Sequence, residues 1–188
     1  MPDLEPAEKV SLILDTPILG IVGFSGSGKT TLLAKLITEL NILGIRIGII
    51  KHAHHHFDID HPGKDSYILR HAGAKQTLVA SKHRWALMVE TAECKQDPQL
   101  AELISRLDLT QLDLVLVEGF KHVSYPKLEV HRAAANPVLL CPDDPDIIAL
   151  LTTEDLQVKS ALNLPVLNLN DTTCIVQFIM DFIRKQHD

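Results

Sequence analysis

The chain has 188 residues, 46% hydrophobic and 22% charged, a composition and length that bury roughly 70% of the unfolded surface without disulfide or metal staples. Its formal net charge of −6 argues against a sequence-independent grip on DNA or RNA, which depends on Lys and Arg neutralising phosphates. Cys94, Cys141 and Cys174 are widely spaced with no C-x-x-C pair, which disfavours a disulfide framework or a zinc knuckle and suits a reducing cytosol. Asp3, Glu5, Glu8 and Asp15 make the start of the chain unlike a secretory signal, and no apolar run approaches the ~20 residues needed to span a bilayer. A cytoplasmic protein with no membrane and no nucleic-acid partner is expected.

Residues 1–16 are mixed in character and read as a flexible lead-in to a single domain over 17–188. A buried strand is predicted over 17–23, then a helix over 29–42 whose Leu32, Leu33, Leu36, Ile37 and Leu40 share a face, stopped by Gly44. Ile45–Ile50 reads as a second, parallel strand, completing a β-α-β unit. A polar, histidine-rich loop follows, containing Pro62-Gly63, then a helix from Asp65 to His71 ending at Gly73. Gln76–Ala80 and Trp85–Glu90 form a predicted hairpin, and 97–107 a predicted helix. Strands are expected at Leu112–Val117, Lys127–His131, Ile147–Leu151 and Pro165–Leu169. The last helix shows Ile175, Phe178, Ile179, Phe182 and Ile183 on one face, with Asp171 or Thr172 as its cap. Such alternation implies an α/β fold: a mostly parallel sheet with helices on both faces, plus a β-hairpin extension.

Between the first strand and first helix lies Gly23-Phe24-Ser25-Gly26-Ser27-Gly28-Lys29-Thr30, a full match to G-x-x-x-x-G-K-[ST] in the strand–loop–helix context that gives it physical meaning. Gly23, Gly26 and Gly28 let backbone N–H groups turn toward a polyphosphate, and the helix start adds unpaired donors and partial positive charge. Lys29 would reach the β- and γ-phosphates and Thr30 would ligate Mg²⁺, with Ser25, Ser27 and Thr31 as further phosphate contacts. This is the signature of a P-loop NTPase fold. The partner acid is expected at the exit of a neighbouring buried strand, which points to Glu118 as a second metal-holding or water-positioning group, alongside Lys29 in catalysis.

Asp58 and Asp60 follow the second strand, where a metal-facing or water-orienting acid often sits; solvated loop acids are the alternative. Lys51, Lys64 and Lys121 are candidates for added positive charge near the phosphates, or plain surface lysines. His52, His54, His55, His56 and His61 permit a transition-metal site or a polar loop over the nucleotide. Guanine is commonly selected by a carboxylate that accepts from its N1–H and N2–H₂, a donor pair that adenine lacks. Thr152-Thr153-Glu154-Asp155 echoes [NT]-K-x-D without its lysine, and Asn168-Leu169-Asn170-Asp171 is a second candidate, so Asp155, Asn168 and Asp171 are possible base contacts. The residues alone do not choose GTP over ATP.

With these segments in hand, the sequence resembles the molybdopterin-guanine dinucleotide biosynthesis adapter family, MobB. The resemblance runs from Ile18 to the C-terminus and rests on Phe24–Leu33, on Ile50-Lys51-His52-Ala53-His54-His55 with Asp58-Ile59-Asp60, and on Pro62–Tyr67. Trp85–Met88 and Leu112–Lys121 complete it. It implies a homodimeric GTP-binding protein using Mg²⁺, with slow intrinsic GTP hydrolysis. It further implies partnership with the guanylyltransferase that joins GMP to molybdopterin, and contact with molybdopterin itself. Carried over by position, the loop binds the triphosphate, Glu118, Gly119 and Lys121 face metal or partner, and the Trp85–Met88 stretch is a dimer contact. The rival readings are a histidine-rich GTPase that inserts nickel, and a small-molecule kinase.

Overall fold

The structure, a computed structural model, describes residues 16–53, 57–91, 97–154 and 162–187. They form two compact units, one comprising the described residues up to His52 and from Gln99 onward, the other Ala53 to Pro98.

In the first unit six parallel strands form one sheet: β1 (Ile18–Val22), β2 (Ile47–Lys51), β5 (Leu114–Glu118), β6 (Lys127–His131), β7 (Ile147–Thr152) and β8 (Val166–Asn168), in the order β2-β5-β1-β6-β7-β8. Strands this apolar need cover on both sides, and they have it. On one face Leu19, Ile21, Leu114, Leu116, Leu128 and Leu151 meet Leu32, Leu36 and Leu40 of α1 (Lys29–Ile42), and Ile175 and Ile179 of α4 (Thr172–His187). On the other, Ile18, Val115 and Val117 meet Leu100 and Ile104 of α3 (Leu100–Ile104). The alternation of neighbours such as Leu114 and Val115 between the two cores is the two-residue period of a strand. This is the α/β P-loop NTPase arrangement, with helices on both faces. Thr16 is already packed: it is buried and its hydroxyl donates to the Leu109 carbonyl.

Element boundaries shift from the expected ones for local reasons. β2 begins at Ile47, because the Ile45 amide closes the turn after α1 on the Leu40 carbonyl and Arg46 is clamped by Asp113 through its amide, Nε and guanidinium. α3 starts at Leu100 instead of 97, since Pro98 pushes the residue before it out of helical conformation. β5 starts at Leu114, the Leu112 amide being taken by a 3-10 turn at Leu109–Gln111.

The second unit holds α2 (Asp65–His71) and the antiparallel hairpin β3 (Gln76–Ala80) and β4 (Trp85–Val89). On one hairpin face Met88 is buried and Thr77 and Ala86 are half-buried. The opposite face presents Leu78, Trp85, Leu87 and Val89, which are 62%, 70%, 48% and 52% exposed. No helix among the described residues is long and apolar enough to cross a membrane.

Candidate phosphate-binding site

β1 lies between β5 and β6, so the loop leaving its carboxyl end is flanked by the exits of both neighbours, the place where parallel sheets hold ligands. Gly23 has φ +141°, and a Cβ there would sit 2.3 Å from the Val130 carbonyl oxygen on β6; only glycine fits. The Leu32 amide makes the first helical bond, to the Gly28 carbonyl, leaving the amides of Lys29, Thr30 and Thr31 among the orphan donors of a helix start. Ser27 is buried within the loop, and its Oγ has no hydrogen-bond partner among the described residues. An unsatisfied buried hydroxyl is costly unless a ligand completes it.

Lys29 folds its ammonium back onto the loop, donating to the carbonyls of Gly23 and Phe24 at 2.8 Å each. Burial lowers its pKa; Glu118 opposes this, and the charges of Lys51 and Lys121 add to it. Glu118 ends β5 in register with Ile21 of β1 and Lys51 of β2. The Thr30 hydroxyl donates to Glu118 Oε1 at 3.0 Å, and Lys51 Nζ lies 3.1 Å from both carboxylate oxygens. Lys121 Nζ sits 5.7 Å from the Phe24 ring centroid. The turn after Glu118 is tightly held. Phe120 is buried with φ +52° and stacks on His52 at 4.7 Å, the His52 amide donates to the Glu118 carbonyl, and Tyr125 Oη donates to the Gly119 carbonyl. Glu118 is therefore aimed by backbone on both sides.

Beside the loop opens a cleft of about 270 Å³ lined by Gly26, Gly28, Thr31, Lys35, Arg132 and Asn170, with Leu32 and Leu169 as its apolar wall. Thr31 and Lys35 are four residues apart on α1 and share a face. Arg132 follows β6 and Asn170 follows β8, again at the carboxyl edge. The chain matches the family model described as "Molybdopterin guanine dinucleotide synthesis protein B" over residues 18–153, more than half its length. The chain belongs to the MobB family. It is 46% identical over 173 residues to the molybdopterin-guanine dinucleotide biosynthesis adapter protein of Escherichia coli (strain K12), covering 91% of this chain and 95% of the relative. Its identity to the adapter of the same description in Haemophilus influenzae (strain ATCC 51907 / DSM 11121 / KW20 / Rd) is 41%, over 91% of this chain and 92% of that one. The fold is similar to the crystal structure of Bacillus subtilis MobB, with a TM-score of 0.69 at 25% identity, over 88% of this chain and 96% of that one.

Of the expected site residues, the structure gathers Gly23 to Thr31, Lys51, Glu118, Gly119 and Lys121 at one edge of the sheet, all inside the stretch matched by the family model. Asp58, Asp60 and Lys64 belong to the second unit instead. There both acids accept from Arg70 Nη2 and Glu90 accepts from its Nη1, and Asp60 is held below the usual carboxylate range mainly by its own hydrogen bond from Arg70. Lys64 is the exposed residue before α2. Near the cleft, Asn168 Oδ1 accepts the Asn170 amide and Asp171 Oδ1 caps α4 through the Cys174 amide. Their side chains are committed to the turn, and Asn170 is the one that lines the cleft. Glu154 accepts the Ala133 amide and approaches His131 at 3.6 Å, so it ties down the loop after β6. Asp155 and His54 to His56 lie outside the described residues. No group of three His, Cys, Asp or Glu placed to hold a metal occurs among the described residues. Arg132 and Lys35 are absent from the expected set, and Asn170 falls inside the expected Asn168–Asp171 segment while its neighbours were the contacts singled out. Arg132 and Asn170 follow strand ends, and that position was the available signal.

Proposed function

We propose that this protein is a GTP-binding adapter in molybdopterin-guanine dinucleotide biosynthesis, working with the guanylyltransferase that joins GMP to molybdopterin. It is at most a weak GTPase and not itself the transferase. The observation that carries the reading is the loop from Gly23 to Thr31, with a Ser27 hydroxyl unpartnered among the described residues, a self-satisfied Lys29 and the Thr30–Glu118 pair beside it. Lys29 exchanges two loop carbonyls for phosphate oxygens, which suits a partly buried ammonium better. Thr30 and Glu118 are hard oxygen donors of the kind Mg²⁺ takes, and, lying side by side at 3.0 Å, they would hold the ion together. When bound, magnesium would neutralise charge on the β- and γ-phosphates. The nucleoside belongs in the adjoining cleft. Guanine presents O6 and N7 acceptors where adenine presents a donor at N6, so Arg132 favours guanine, and the Asn170 side chain can both accept and donate at the base edge. The family names of the relatives support the pathway assignment.

The apolar hairpin face of Leu78, Trp85, Leu87 and Val89 supports a homodimer, since so contiguous a patch is normally covered. The test of the function is calorimetric titration of GTP and ATP into the full chain and its Lys29→Ala variant, paired with a pull-down from its own cytoplasm probed for the guanylyltransferase and molybdopterin. Equal GTP affinity in the two proteins would reject the nucleotide assignment.

A further inference from the structure

Lys51 and Glu118 close the β2 and β5 strands as register partners, so their meeting is set by the sheet and not by a chance rotamer. The Glu118 side chain is 13% exposed and that of Lys51 54% exposed. A carboxylate withdrawn this far from water needs a cation beside it. Lys29 is spent on the Gly23 and Phe24 carbonyls, so the ammonium that contacts both Glu118 oxygens is that of Lys51. The same carboxylate, through Oε1, orients the Thr30 hydroxyl. An ammonium on a flexible, half-exposed stem can leave without disturbing the strand.

On the reading of the loop as a metal–nucleotide site, we propose that Lys51 is a built-in stand-in for the metal. It holds Glu118 and Thr30 ready while no ion is present, and it yields the carboxylate when Mg²⁺ arrives with nucleotide. Lys51 and Mg²⁺ therefore compete for one set of lone pairs, while the ammonium lends positive charge to a polyphosphate that arrives without metal. Removing Lys51 has opposite effects in the two conditions, which a merely structural role would not produce.

The experiment is fluorescence titration of N-methylanthraniloyl-GTP into the full chain, with excess Mg²⁺ and with excess EDTA, for the unaltered protein, Lys51→Met, Glu118→Gln and the double variant. In Lys51→Met the affinity in EDTA falls by about tenfold, the scale of one charge-assisted hydrogen bond, while that in Mg²⁺ holds or rises. The Mg²⁺ enhancement thus grows about tenfold. In the Glu118→Gln background the same substitution leaves the enhancement unchanged. Manganese titration followed by electron paramagnetic resonance gives a second readout, with Mn²⁺ binding tightened by Lys51→Met. An enhancement unchanged in the single variant, whether both affinities fall together or neither moves, overturns the inference. If Lys29→Ala abolishes binding while Lys51→Met leaves the enhancement unchanged, the nucleotide reading stands and this inference falls. No binding by the unaltered chain in either buffer overturns both.

Discussion

Replacing Gly23 by alanine separates two sources of strain that usually travel together. At φ +141° a side chain is disfavoured whatever the space around it, an effect on the order of 1–3 kcal/mol. The added Cβ would also stand 2.3 Å from the Val130 carbonyl oxygen, inside the 3.0 Å that real Cβ atoms respect. Relief requires the ends of β1 and β6 to part where Val22 pairs with Glu129, which forfeits ladder bonding of about 1 kcal/mol per bond. The expected loss is about 3–5 kcal/mol, and for a chain of this size a fall in Tm of about 10 °C. Gly26→Ala is the control. Its φ is +80°, but the nearest atom to its Cβ would be that of Ala135 at 3.9 Å, so only the conformational cost of about 1 kcal/mol remains. Urea denaturation of both variants, with GTP affinity measured on the folded fraction, reads the contrast. Equal destabilisation by the two substitutions would refute the argument that the close approach to β6 determines the loop.

Lys29 gives a pH signature. Its pKa in the free protein lies below 10.5, chiefly through burial, and a bound triphosphate restores it, so between the lowered value and 10.5 nucleotide binding takes up protons and affinity falls as pH rises. The unfolded chain binds more protons than the native one in that window, so the nucleotide-free protein gains stability there with rising pH, the opposite trend. Calorimetry in buffers of different ionisation enthalpy measures the uptake, and proton release would contradict the assignment. Arg132→Ala is expected to weaken GTP by roughly 1–3 kcal/mol while sparing ATP, narrowing the preference between them in competition binding. An equal loss for both nucleotides would place Arg132 on phosphate or ribose instead of the base. If the proposed homodimer forms through this face, Trp85→Asp, which sets a charge in it, is expected to give monomers in sedimentation at concentrations where the unaltered chain is expected to be dimeric. A variant that stays fully dimeric moves the interface elsewhere.

Much of the architecture is legible locally. The span Lys29–Ile42 of α1, the Gln76–Ala80 and Trp85–Val89 hairpin and the Lys127–His131 strand follow from periodicity and turn residues. The phosphate loop is legible too, because its chemistry lies in consecutive residues. Boundaries move where a distant partner takes an amide or a side chain, as Asp113 does at Arg46. Asp58 and Asp60 illustrate the limit: nothing near them in sequence reveals that Arg70 receives both.

What the linear order of residues determined by itself was the identity of the loop and the alternation of strands and helices around it, since both depend on near neighbours. Strand order needed the folded chain. β5, remote in sequence, inserts between β1 and β2, and that insertion alone brings Glu118 against Thr30 and Lys51. The same holds for the cleft, where Arg132, Lys35 and Asn170 converge from three separate elements. Pairing between distant strands is chosen by the burial of both sheet faces across the whole domain, a condition no short window of residues contains.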